Sequence, residues 1–337
     1  MKKSTIGGQA VMEGVMMKAP ECMAIAVRQP NGTIQVKKQT LTTVRNKYPI
    51  LKLPVLRGIV TFAETMALGV RSLMTSAELI GDTEEYKPSR FEAFLADKLG
   101  KEAEEVVLYS AVVLAAAFAI GLFILLPALL SGLIRPLIHS NVVVNLMEGF
   151  IRLGIFLIYL VLISKMKDIR RVFEYHGAEH KTIHCYEHDE ELTVENARKY
   201  STLHPRCGTA FLLIVMVISI VIYSFMGWQN IFIRVLARLL LLPLIAGLSY
   251  EVTRAAGKSD ARFIRAVMYP GMMLQKLTTR EPDDSQLEVA IRAFQEAAGD
   301  IAEEERDLKI ETGADGCADS RMSDAAGKGS GISQAGL

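Results

Sequence analysis

The sequence predicts a predominantly α-helical integral membrane protein, with about four transmembrane helices and a small α+β N-terminal cytosolic part. Three observations carry that expectation. Residues 106–134 and 208–233 contain no Asp, Glu, Lys or Arg, and each run exceeds the roughly 20 apolar residues a helix needs to cross a bilayer core. Residues 142–163 and 231–250 are nearly as apolar, interrupted by Glu148 and Arg152 in the first and by Arg234 and Arg238 in the second. Ahead of them, "MAIAVRQPNGTIQVKKQ" reads as two short strands, residues 23–28 and 33–38, turned by Pro30-Asn31-Gly32. Mean hydropathy is only +0.26, so the distribution of apolar residues, not their average, argues for a membrane.

In chain order, the cytosolic N-terminal region covers 1–53. Met1-Lys2-Lys3 is followed by no apolar h-region, so no signal peptide is expected and the first spanning helix would direct insertion. "IGGQAVMEGVMM" is rich in Gly and Met around one acid, Glu13. Paired glycines permit close backbone approach to a ligand, whereas the plainer reading is a bent strand or turn with packed methionines.

Region 54–105 begins with a long helix, 54–80, with Pro54 in its first turn. Arg57, Glu64, Arg71 and Glu78 recur every seventh residue, which draws one charged stripe on an otherwise apolar cylinder. Such a helix suits the membrane interface, a place among the spanning helices, or the interior of a soluble domain, and the sequence leaves these open. Transmembrane helices 1–2 fall in 106–163 and helices 3–4 in 209–250. Their charges should turn inward and find partners. Region 251–312 is expected to be cytosolic and helical, with Leu287, Ile291 and Phe294 on one side, and 313–337 a disordered tail.

Basic residues orient the chain. The segment 164–208 carries Lys165, Lys167, Arg170, Arg171, Lys181, Arg198, Lys199 and Arg206, whereas the connector between the first two spans has only Arg135 and the one after Trp228 has none. Both termini and the histidine-rich segment should therefore face the cytoplasm. Cys22, Cys185, Cys207 and Cys317 would then meet a reducing compartment, where structural disulfides are not expected. A net charge of +1 without basic blocks alternating with aromatics gives no support to nucleic-acid binding.

The richest chemistry lies in "EYHGAEHKTIHCYEHDEE". His176, His180, His184 and His188 follow at intervals of four, from a total of 6 histidines. On a helix, positions four apart differ by about 40°, so His176 and His180 share a face and can grip one ion. By His188 the offset reaches about 120°, which prevents all four from converging. Glu179 makes the pair H-x-x-E-H, the inverted zincin order with two ligands and a base. Further on, "LHPRCGT" supplies His204 and Cys207, acceptable zinc ligands that Pro205 and Gly208 could turn back toward the pair. A solvated juxtamembrane face, with His204 and Cys207 capping the next helix, is the plainer alternative.

Together, "GGQAVMEGVMM", "YHGAEHK", "HPRCGT" and "LSYE" resemble the YqhQ-like family of bacterial membrane proteins, from about residue 7 to residue 277. The resemblance implies a metal-dependent enzyme in the bacterial cytoplasmic membrane and supplies no substrate. Its pattern falls on Glu13, His176, Glu179, His180, Glu187, His204, Arg206, Cys207 and Glu251, and it does not require His184 or His188.

Two expectations follow. In the first, His176, His180 and His204 bind a divalent ion, zinc before others, with Cys207 or Glu251 completing the shell. Glu179 accepts the proton of a metal-activated water and Arg206 steadies an oxyanion. The substrate would be a membrane protein or a lipid-linked ester. In the second, the chain is a non-enzymatic scaffold or assembly factor with a structural metal or polar cluster, or it routes an ion past Glu148 and the arginines. An open coordination position distinguishes enzyme from clamp.

Overall fold

A computed structural model describes residues 6–41, 48–81, 103–227, 230–258 and 262–311. The expected tail 313–337, with Cys317, lies outside these residues, as does Trp228.

Four strands come first: β1 (Gly7–Val11), β2 (Gly14–Lys18), β3 (Cys22–Arg28) and β4 (Ile34–Thr40). They form one antiparallel meander in that order. Val11 pairs with Gly14 across a two-residue turn whose second residue, Glu13, sits in the left-handed region at φ 50. The Pro-Asn-Gly turn closes the last hairpin, with Gly32 at φ 86. The Gly- and Met-rich stretch is thus two strands folded on themselves, and Met16 and Met17 are both buried.

The sheet is covered on both faces, so β3 reads as a continuous apolar run. Its period of two sorts the side chains. Met23, Ile25 and Val27 join Leu68, Leu79 and Ile80 of helix α1 (Leu56–Ile80). Ala24 and Ala26 point the other way, into a core with Tyr175, Leu287, Ala290 and Phe294. These last residues belong to α5 (Lys167–Glu187) and to α10 (Asp284–Glu311). The first and last parts of the chain therefore share one core, and truncating fully buried Phe294 to Ala would cost about 3–5 kcal/mol.

Among the described residues, three helical segments are long and apolar enough to cross a membrane. They are Ser110–Leu137, Asn141–Ile163 and Ile231–Ala256. The first combines α2 (Ala103–Ile120), a π-helical turn at Gly121–Leu125, α3 (Leu126–Ile134) and a 3-10 turn, and the others lie in α4 (Asn141–Ile163) and α8 (Ile231–Lys258). Their outward faces carry exposed Leu114, Leu133 and Leu240. The fourth expected span corresponds to α7 (Gly208–Ser224), apolar but only 17 residues long, about 26 Å of helix. Two further helices, α6 (Val194–Arg198) and α9 (Arg262–Thr278), complete the order.

Helix α1 bridges the two halves. Near its start it meets α8 at a glycine crossing, where a Cβ on Gly58 would stand 2.7 Å from the Gly247 carbonyl oxygen. Its last turns lie on the sheet. Phe62, Met66, Val70 and Met74 remain exposed along it. The charged stripe supplies tethers at both ends: Arg57 pairs with Glu251, and Glu78 with Lys37 at 3.5 Å.

Candidate metal centre

Helix α5 carries the H-x-x-E-H motif, so the segment 164–208 is helical through most of the histidines. From Tyr175 onward α5 is buried almost all round, including Gly177, Glu179, His180 and Glu187. Gly177 is needed there because the chain leaving α9 crosses it: a Cβ would lie 2.0 Å from the Arg280 carbonyl oxygen. That crossing is pinned by the Arg280 N–H donating to the Phe173 carbonyl at 2.9 Å. At the sheet end, Glu13 binds Arg171 and accepts a hydrogen bond from the Tyr175 hydroxyl at 3.3 Å. Burial, more than that carboxylate, pushes the Tyr175 phenol upward.

The two predicted ligands are presented in the way a metal requires. His176 directs Nδ1 at the Thr278 carbonyl oxygen, 2.8 Å away, and His180 directs Nδ1 at the Thr202 carbonyl oxygen. A carbonyl can only accept, so each Nδ1 carries the proton and each Nε2 keeps a bare lone pair. The His176 Nε2 lies 3.2 Å from the Cys207 sulfur. Cys207 stands at the N-cap of α7, its sulfur facing the Thr209 N–H. The donor atoms of His176, His180 and Cys207 all lie within 4.8 Å of one another. Two imidazoles and a sulfur form a donor set suited to zinc, with one tetrahedral position left for another ligand.

Glu179 stands beside the two imidazoles. Its Oε2 is 3.8 Å from the His176 Nε2 and 3.9 Å from the His180 Nε2, and the residue is 5% exposed. Gly8 on β1 makes room for it, since a Cβ there would meet Glu179 Oε1 at 2.9 Å. Gly8 thus allows β1 to approach a buried carboxylate on the protein's own helix, whereas a Cβ on Gly7 would meet nothing within 4 Å.

His204 lies beside His180, their ring centroids 5.6 Å apart. It belongs to a second group, with His184 and Glu187, whose donor atoms also lie within 4.8 Å of one another. Its Nδ1 accepts the Arg206 backbone N–H at 3.3 Å and its Nε2 faces Glu187 Oε2 at 3.4 Å. The proton therefore sits on Nε2, opposite to the arrangement in His176 and His180. Gln275, fully buried, holds the His204 backbone from both sides, accepting from its N–H at 2.9 Å and donating to its carbonyl at 2.8 Å. Arg206 pairs with the other Glu187 oxygen rather than projecting free toward the first group. Burial lowers the affinity of both His204 and Arg206 for their protons. His184, whose Nε2 meets the Leu203 carbonyl oxygen at 2.9 Å, is pushed down to about 4, first by burial and then by neighbouring histidines.

Glu251 requires a correction. The structure does not bring it to the histidines: its carboxylate accepts Arg57 Nε at 2.6 Å and the Val55 N–H at 3.3 Å. Being level with the site along the bundle does not make it a neighbour. His188 is exposed, with Nδ1 turned to the His184 carbonyl oxygen of its own helix, as the angular offset requires. Residues that sequence reasoning missed are the supports: Gly8, Gln275 and the carbonyls of Thr202 and Thr278. Only Gly8 left a signal, in its pairing with Gly7.

The chain's similarity to known proteins names no activity. No solved structure matches the chain. The "Uncharacterized protein YqhQ" of Bacillus subtilis (strain 168) is 36% identical over 293 residues, which is 86% of this chain and 91% of that protein. Residues 53–300 match the family described as "Protein of unknown function (DUF1385)". The chain belongs to that YqhQ-like DUF1385 family.

Proposed function

We propose that the protein is a membrane-embedded metal-dependent hydrolase whose ion, zinc by the chemistry of its ligands, is held by His176, His180 and Cys207. One observation carries the reading: both imidazoles donate Nδ1 to main-chain carbonyls, His176 turns its bare Nε2 to the Cys207 sulfur, and donor atoms of all three residues lie within 4.8 Å of one another. A hydrogen-bonded surface cluster has no need of that matched orientation. When bound, a divalent ion supplies Lewis acidity and lowers the pKa of water toward about 7.

The chain's own groups would do the rest. Glu179, close to both ligand nitrogens and fixed beneath Gly8, receives the proton from the attacking water and returns it to the leaving group. The carbonyls of Thr278 and Thr202 hold the imidazoles in one tautomer. The Glu187–Arg206–His204 network holds the loop that delivers Cys207. Our reading places the site at the cytoplasmic face of a bacterial cell membrane, on the basis of the lysines and arginines in 164–208, and its substrate as an ester or peptide bond presented at that surface.

The closed network around Glu187 favours a second reading, in which the ion only clamps the loop to α5. Cobalt substitution separates the two. A thiolate-to-cobalt absorption band that Cys207→Ser abolishes would establish the ligand set. Hydrolysis of a p-nitrophenyl ester by the wild type, lost in Glu179→Gln with the band intact, supports the enzyme. An unchanged rate in Glu179→Gln would leave the clamp.

A further inference from the structure

A separate cluster lies inside the apolar helices. Glu148 on α4 is 1% exposed, and Arg152, Arg234 and Arg238 around it are 5%, 4% and 2% exposed. Glu148 Oε1 meets Arg152 at 3.2 Å and also Arg238. Its Oε2 accepts from Ser131 at 3.1 Å, from Arg238 Nη2 at 2.8 Å, and from Arg234. A carboxylate offers about four acceptor sites, so this one has no capacity left. Arg238 Nε is nonetheless buried with no acceptor among the described residues.

Among the described residues, three guanidiniums, which keep their protons, share the one carboxylate of Glu148. Tyr223 adds only its ring face, 5.1 Å from Arg152 and 5.2 Å from Arg238. Backbone is recruited as well: the π-helical turn presents the Phe123 carbonyl to Arg152 Nε at 2.9 Å. A purely structural ion pair would need one arginine. Surplus buried cations in apolar surroundings are costly unless an anion joins them.

We infer that this cluster is a binding site for a phosphate group. Guanidinium forks match the paired oxygens of a phosphate, and Arg238 Nε supplies a donor that Glu148 cannot serve. The site is distinct from the histidine centre. Glu148 and Arg238 each stand about 10 Å along the axis from the start of their helices, whereas the histidines follow the far end of α4. The phosphate is either the headgroup of an anionic lipid or the free ion.

The test uses the full-length protein in detergent, following its unfolding temperature against inorganic phosphate and, separately, phosphatidylglycerol, with phosphatidylcholine as the lipid control. A saturable rise with phosphatidylglycerol alone assigns the lipid headgroup, and one with inorganic phosphate assigns the free ion. Removing the competing negative charge in Glu148→Gln should lower the half-saturating concentration at least about tenfold. Arg238→Lys, which keeps the charge but loses the fork, should raise it. No saturable response of the wild type to either probe overturns the site, and so does a response that Arg238→Lys and Glu148→Gln both leave unchanged.

Discussion

Gly8 lies directly against the Glu179 carboxylate: a Cβ at position 8 would stand 2.7 Å from Glu179 Cγ. The N-terminal strand thereby shapes a site whose other residues lie some 170 positions later in the chain. Gly8→Ala should displace the carboxylate while sparing His176, His180 and Cys207. Metal content is expected to stay at the wild-type level while turnover falls about a hundredfold, the usual penalty for moving a catalytic group by about 1 Å. The stability cost should be about 1–3 kcal/mol, measured by thermal unfolding.

Glu251→Gln distinguishes the observed pairing from the ligand role expected from sequence. The variant keeps its metal, because Glu251 serves Arg57 and the Val55 N–H. It should unfold at a lower temperature, since α1 loses its tether to α8. Elemental analysis beside a melting curve reads both effects.

Gln275→Leu removes the amide that holds the His204 backbone on both sides. Each orphaned main-chain group costs about 1–3 kcal/mol. Because that loop also carries Cys207, metal affinity should fall together with stability. A variant with normal affinity would show that the loop is held by other means.

The metal-free protein should lose stability as the pH falls from about 6.5 toward about 4. His184 is held down to about 4 in the folded chain, against about 6.5 when unfolded. In that window the unfolded state binds more protons, so stability rises with pH. The contribution is complete above the unfolded value and gone below the folded one. Replacing His184 by Gln should flatten the unfolding temperature across this range, measured with a chelator present.

How much of this was legible follows from what each feature depends on. The Pro30-Asn31-Gly32 hairpin and the shared face of His176 and His180 are local, set by turn chemistry and helical spacing, and both are present. The charged stripe of α1 announced a helix but not its partners, because the Gly58–Gly247 crossing joins residues far apart in sequence. Leu287, Ile291 and Phe294 marked an apolar side on α10, yet nothing local indicates that β3 covers it. His204 looked like a ligand by residue type, whereas its role depends on where its ring proton sits, and Arg206 and Glu187 decide that. Glu251 was placed by depth along the bundle, which fixes a level and not a neighbour.

The metal content of detergent-purified protein tests the central claim most directly. We predict about one zinc per chain, lost in His180→Ala and in Cys207→Ser, and retained in Glu179→Gln and Glu251→Gln. A wild type that takes up no zinc when offered it, or a zinc ion that survives Cys207→Ser and His180→Ala together, would contradict the account.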